Sequence, residues 1–309
     1  MKIFEAFAGI GAWSKALERL GWDYELSGFS EVNEKSIKGY CAIHNVSEDK
    51  NVGDIEKFNG KVDDLDVLFY SPPCQSFSQA GKQLGFDDAR GTLFFDCMRL
   101  IHKSKPKYCI MENVKGLTTK KFEKEFNCIL NCLNEQGYNN YTKVINALDY
   151  TTPQNRERVF IISIRKDVDT GKFEFPKTID HRRSIQSILE DDAKLPILHN
   201  IYGGFKEKKP RIFTEYSPTI RTSSGGGHIP SVCVKDIKDA KKEVQGYNIR
   251  TMSTLEICRL MDFDDEDLQK LKDLKLSNTQ IYRLFGNSIV VEVIQEILKA
   301  LNEAQSIRK

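Results

Sequence analysis

No stretch of about 18 consecutive apolar residues occurs in the 309-residue sequence, so no membrane-spanning helix is expected. The first residues, MKIFEAFAGIGAW, lack the long apolar run and small-residue cleavage site of a secretory signal, and they read as a first strand. No GxxxxGK[ST] pattern is present, which removes support for an ATP-binding P-loop. The eight cysteines follow no framework spacing, so reduced thiols in a cytoplasmic protein are expected. Internal repeats and low-complexity tracts are absent. Strong net charge is missing too: the formal balance is +2, which by itself says little about a polyanionic partner.

What is present is an ordinary globular balance, 40% hydrophobic and 29% charged, long enough for one large domain and a smaller one. The charge is unevenly spread. Between Arg165 and Arg250 there are 17 Lys/Arg against 12 Asp/Glu, whereas the remainder carries 29 against 32. A basic segment beside a mildly acidic one suits a module that faces a polyanion.

Short apolar runs at Ile3–Phe7, Tyr24–Ser30, Asp66–Tyr70, Tyr108–Met111 and Val159–Ile164 read as strands. Amphipathic segments at Ala12–Leu20, Glu34–His44, Thr92–His102 and Phe122–Glu135 read as helices. A further strand is expected just before Gly53. This alternation predicts an α/β fold with a doubly wound, mostly parallel sheet, whose ligands sit beyond the carboxyl ends of the strands. From about Lys166 to Tyr247 the rhythm fades into a loop-rich region containing KEKKP and SSGGG. Helical pattern returns at Thr254–Met261 and from about Ile289 to Asn302, so the end of the chain is expected to rejoin the first domain.

Four strand-end segments carry chemistry. Phe7-Ala8-Gly9-Ile10-Gly11 allows tight turns and close approach of a ligand to backbone N–H groups. Glu31 ends the second strand, where a carboxylate can accept from ribose hydroxyls, and Asp54 can accept from an adenine amino group. Together they suggest an adenosine-containing cofactor. In Ser71-Pro72-Pro73-Cys74 two prolines stiffen the backbone ahead of a thiol; a buried structural cysteine is the competing reading. Glu112 is a candidate general acid or base, and the alternate arginines Arg156 and Arg158 can grip a phosphate or a base oxygen. Cys128 and Cys132, four apart on a predicted helix, read as core residues, and His228 as a loop polar group or phosphate contact.

The blocks FAGIGA, SPPCQSFSQAGK, RGTLFFD, MENVKGL, QNRERVF and GNSIVVEVI occur in the order and approximate spacing of the bacterial and phage DNA cytosine-5 methyltransferases of restriction–modification type, over about residues 1–164 and 250–300. The chain resembles that family. Two departures stand out: Val32 replaces a frequent Trp after the strand-two glutamate, and Asp262 stands where glycine is usual.

The resemblance implies an S-adenosylmethionine-dependent methyltransferase fold, with a catalytic domain at 1–164 plus 249–309 and a smaller target-recognition domain at 165–248. It implies a sequence-specific enzyme that flips a cytosine from double-stranded DNA, attacks carbon 6 with Cys74, and methylates carbon 5. Glu112, Arg156 and Arg158 complete the catalytic set. Phe7, Gly9, Gly11, Glu31, Asp54, Ile55, Pro72, Asn287 and Ser288 are the expected cofactor residues. Ser76–Arg90 is expected to form a lid. Gln75, Ser78, Arg90, Arg211, Arg221, Gly225 and Gly226 are the expected DNA contacts. S-adenosylhomocysteine is the expected product, no metal is expected, and the enzyme is expected to act as a cytoplasmic monomer, with any cognate endonuclease working separately. The family's tRNA-methylating branch carries a Cys-Phe-Thr tripeptide that is absent here. A non-enzymatic DNA-binding relative is the remaining alternative.

Overall fold

The computed structural model describes residues 1–73, 89–179, 183–201, 209–221 and 229–307, with backbone alone for 89–92. By its contacts the chain divides into two units: Met1–Ile145 with Glu157–Lys177 and Ile294–Lys309, and Asn146–Arg156 with Thr178–Val293.

The first unit begins with β1 (Lys2–Ala6), α1 (Ala12–Arg19), β2 (Glu25–Ser30), α2 (Glu34–His44), β3 (Val67–Tyr70), α3 (Ala89–Ser104) and β4 (Tyr108–Val114). It continues with α4 (Glu123–Glu135), β5 (Tyr138–Asn146) and β6 (Glu157–Arg165). The sheet order is β2-β1-β3-β4-β6-β5. β1 runs parallel to β2 and β3, β3 runs parallel to β4, and β6 is antiparallel to β4. Inner strands of such a sheet are covered on both faces, which is why Val67-Leu68-Phe69-Tyr70 is wholly buried and apolar rather than alternating. Phe4, Leu68, Tyr70, Cys97, Ile101, Met111 and Ile161 lie in one core cluster beside the strands.

Two details depart from the expected pattern. No strand precedes Gly53: the segment Glu48–Lys50 is a single 3-10 turn, and Asn51 makes only an isolated parallel bridge to Phe29. That stretch is polar and lacks the apolar run a buried strand needs. Ser71 therefore follows the third strand, not the fourth. β5 was not expected, because its polar residues (YNNYTKVIN) hide the alternation.

In this order β1 has β2 on one side and β3 on the other, so the strand order reverses between β1 and β3. In such sheets ligands bind beyond the carboxyl ends of the strands at the switch. The loops starting at Phe7 and Ser71 follow β1 and β3 there, and the Ser71 N–H donates to the Ala6 carbonyl at 3.4 Å.

The second unit contains β7 (Ala193–His199), β8 (Arg211–Phe213), β9 (Ser231–Val234), β10 (Lys242–Val244) and β11 (Tyr247–Thr251), in the order β10-β11-β9-β7-β8 with antiparallel pairing. β7 slips register between Lys194 and Ile197, around Pro196, which has no N–H for the ladder. Helices α5 (Thr254–Leu260), α6 (Asp265–Asp273) and α7 (Asn278–Asn287) follow, and α8 (Val291–Gln305) crosses back into the first unit. By contacts only 294–309 of the last residues group with the first sheet, later than the expected return. α6 and α7 went unread, although Ser277 and Gln280 form a capping box at the start of α7 that the sequence spells out.

Asp262 explains one departure from the family pattern. It lies in the left-handed region, with φ +61. Its N–H bonds the Arg259 carbonyl and the Phe263 N–H bonds the Cys258 carbonyl, the two-bond closure at the end of α5 that favours glycine. Aspartate tolerates this conformation better than most residues, and its carboxylate is tied to Arg183 at 2.8 Å.

Candidate active site

The loop after β1 takes the left-handed conformation three times, at Phe7, Gly9 and Gly11. At Gly11 glycine is required on two counts: φ is +78, and a Cβ there would lie 2.2 Å from His44 Nε2. Around Gly9 the space is open, and its N–H donates to Glu31 Oε2 at 2.9 Å. The other carboxylate oxygen of Glu31 accepts from the Val32 and Asn33 N–H groups at 2.8 and 2.9 Å. Among the described residues three N–H bonds fix the carboxylate, which has about four acceptor positions. Val32 beside it is 70% exposed.

Asn51, unremarked in the sequence, joins this corner to the next. Its Oδ1 accepts from the Glu31 and Gly53 N–H groups and its Nδ2 donates to the Glu31 carbonyl, each at 3.1 Å. Asp54 then starts a turn, accepting the Glu56 N–H on its side chain. Ile55 is only 2% exposed, so its side chain belongs to the core. Arg99 of α3 donates to the carbonyls of Ile55, Glu56 and Phe58, pinning the turn from below.

Glu5, in β1, is fully buried and reaches the first turn of α1, accepting from the Ser14 N–H at 3.1 Å and from the Tyr40 hydroxyl at 3.0 Å. α1 has no side-chain cap of its own. Burial pushes the Glu5 carboxyl up, against the lowering by Ser14, His44 and Tyr40.

Cys74 lies outside the described residues, as do Gln75, Ser78 and nearly all of the lid segment; Arg90 is described in backbone only, within α3. The chain is described as far as Pro73. Asn113 Nδ2, buried in β4, donates to the Pro72 carbonyl at 3.2 Å, so the rigid turn ahead of the cysteine hangs from β4.

Glu112 of β4 pairs with Arg158 of β6, Oε1 to Nε, at 2.9 Å, with side chains 11% and 17% exposed. The topology explains the meeting. β6 runs antiparallel to β4 and places Arg158 opposite Val114, so the start of β6 stands at the carboxyl end of β4. A motif that precedes its strand thereby reaches the ligand edge.

Arg156, two residues earlier, was expected to steady the site or grip a phosphate, and its described partners are backbone carbonyls. It is 4% exposed, and its guanidinium donates to the carbonyls of Ile220, Gly286 and Ser288 at 3.0, 3.1 and 2.6 Å. Such a group does not grip a phosphate; it ties together two segments of the second unit. Ser288, after α7, is held through this carbonyl, and Asn287 is exposed. Arg211 is exposed at the start of β8, opposite His199, and Arg221 is half-buried. Gly225, Gly226 and His228 lie outside the described residues. Among the described residues no group of three or more His, Cys, Asp or Glu is placed to hold a metal, and no helix is long and apolar enough to cross a membrane.

Comparison with known proteins agrees with this geometry. Residues 1–303 match the family described as C-5 cytosine-specific DNA methylase. The type II methyltransferase M1.ScrFI of Lactococcus lactis subsp. cremoris is 34% identical, over 98% of this chain and 78% of its own length. The orphan methyltransferase M.SPBetaI of Bacillus phage SPbeta is 30% identical over 97% of each. Among solved structures, the Entamoeba histolytica methyltransferase EhMeth superposes with a TM-score of 0.72 over 98% of both chains at 16% identity, which bears on the fold alone.

Proposed function

The chain belongs to the C-5 cytosine-specific DNA methylase family, and from that premise we propose how its residues divide the methylation of DNA. It is a DNA (cytosine-5-)-methyltransferase, with relatives among type II restriction–modification and orphan phage enzymes. The family and fold imply S-adenosylmethionine as cofactor.

Cytosine carbon 5 is a weak nucleophile because the ring is aromatic, and covalent catalysis removes this obstacle. The target base is flipped out of the duplex, at a cost of a few kcal/mol. The Cys74 thiolate adds to carbon 6, forming the S–C6 bond as the C5–C6 π pair shifts into the ring, while the Glu112 carboxyl gives a proton to ring nitrogen 3 and accepts from the exocyclic amine. Arg158 holds the Glu112 carboxylate and faces the base oxygen. Held between the Phe7–Gly11 loop and Glu31, S-adenosylmethionine would supply an electrophilic methyl group for carbon 5 and leave as S-adenosylhomocysteine. Loss of the carbon-5 proton to solvent then re-forms the C5–C6 double bond, expels Cys74 as thiolate and returns the nitrogen-3 proton to Glu112. Asn113 steadies the turn that presents the thiol, and Arg156 acts on structure rather than on the substrate.

The observation that carries this reading is the Glu112–Arg158 pair at the carboxyl end of β4, on the strand whose Asn113 anchors the Pro72 carbonyl. The basic segment 165–248 is assigned target recognition, with Arg211 and Arg221 as candidate base or phosphate contacts. The enzyme is taken to act as a cytoplasmic monomer without metal, and any cognate endonuclease to act separately. The experiment is trapping on duplex DNA carrying 5-fluorocytosine, with tRNA as control. Wild type should form a covalent adduct with the DNA only, and Cys74→Ser should form none while still binding cofactor. An adduct or normal turnover by Cys74→Ser removes Cys74 from the mechanism.

A further inference from the structure

Behind the glycine loop sits a histidine that the mechanism above does not use. His44 is the last residue of α2, with its side chain 1% exposed. Its Nδ1 lies 2.6 Å from the Glu18 carboxylate of α1, and its Nε2 lies 3.0 Å from the Ile10 carbonyl in the middle of the loop. A carbonyl only accepts. Glu18 accepts as well when ionised: burial opposes ionisation, but the His44 hydrogen bond and charge bring its carboxyl below the ordinary value. With the Glu18 carboxylate on one ring nitrogen and the Ile10 carbonyl on the other, the imidazole bridges α1 to the glycine loop.

The charged and titratable neighbours come from three elements. α1 contributes Glu18 and Lys15, whose charge acts on Glu18. β1 contributes the buried Glu5, on which the His44 charge acts. On α2, the Tyr40 ring lies 4.7 Å from the His44 ring. Tyr24, before β2, donates its hydroxyl to the same Glu18 oxygen at 3.2 Å.

We infer that His44 is a positioning residue for cofactor binding: paired with Glu18, it holds the Ile10 carbonyl and keeps the Phe7–Gly11 loop in the path that brings the Gly9 N–H to Glu31. The loop needs such a hold. Three of its five residues lie at positive φ, and Phe7 does so without the freedom of glycine. The ring also occupies the space where a side chain on Gly11 would begin. The inference rests on reading this loop and Glu31 as the cofactor site.

The test uses the full chain and calorimetry with S-adenosylmethionine. His44→Phe keeps a ring beside Tyr40 but has no donor. Its cofactor Kd should rise about tenfold, the size of one strong hydrogen bond, with KM for duplex DNA unchanged. Unchanged affinity in His44→Phe, or an equal loss for DNA and cofactor, overturns the inference. If His44→Phe fails to fold, Glu18→Gln serves: without the carboxylate that faces Nδ1, cofactor Kd should rise while KM for duplex DNA holds, and an unmoved Kd overturns the inference. Glu31→Ala separates the two readings. If it leaves affinity unchanged, the cofactor-site reading falls and takes this one with it. If it weakens binding while the His44 variant does not, only the positioning role falls.

Discussion

Arg156 and Arg158 stand two residues apart and belong to different worlds. Arg158, the second residue of β6, pairs with the Glu112 carboxylate at 2.9 Å and donates to the Glu157 carbonyl at 2.8 Å. Arg156 ends a segment of the second unit, with its guanidinium given to three backbone carbonyls. The two units differ in the same way. In the first unit β3 is wholly buried and apolar, and Glu31 and Glu112 stand beyond or near the ends of their strands. The second has strands of three to seven residues, and buried polar clamps do much of the holding. Arg250 is such a clamp, bound to Asp192 and Glu256, which raise its pKa against the pull of burial. A sequence motif with two like residues can therefore serve chemistry with one and architecture with the other.

Exchanging each arginine for alanine is the strongest test of that contrast. Arg158→Ala should lower turnover by about 10²–10³-fold, the range for losing one preorganised donor, with little change in melting temperature. Arg156→Ala should cost about 3 kcal/mol of stability or more, since several buried carbonyls lose their donor. Paired thermal melts and single-turnover rates decide the matter: a stable, inactive Arg156→Ala would reverse the assignment.

Next in size is Glu31→Ala. Loss of a charged acceptor should weaken S-adenosylmethionine binding by about 1–3 kcal/mol in calorimetry. Turnover at saturating cofactor should change far less, which would mark Glu31 as a binding group, unlike Arg158.

In the second unit, Arg211→Ala and Arg221→Ala should each show one of two patterns on target and non-target duplexes. A base-reading arginine loses about 1–3 kcal/mol on the target alone. A phosphate contact lowers both alike and weakens further with salt. No effect from either on any duplex would take recognition away from these positions.

The smallest effect is expected at the end of α5. Asp262→Gly relieves a left-handed non-glycine residue but removes the pair with Arg183, so stability should shift by less than about 1 kcal/mol. A large loss in denaturant unfolding would show that the ion pair matters more than the backbone.

The alternation of apolar runs and amphipathic segments was enough to determine a doubly wound sheet, because a strand buried on both faces needs an unbroken apolar run. Strand-end placement likewise singled out Gly9, Glu31 and Glu112, since ligands gather where strands end. Such local signals say nothing about partners distant in the chain. That β6 runs antiparallel, bringing Arg158 to Glu112, depends on how one strand pairs with another more than forty residues away. That Arg156 is buried while Arg158 is not, that Asn51 joins two loops, and that His44 faces two acceptors are likewise matters of three-dimensional packing. Hydrogen bonds between distant residues leave no periodicity behind, so only the tertiary structure could decide them.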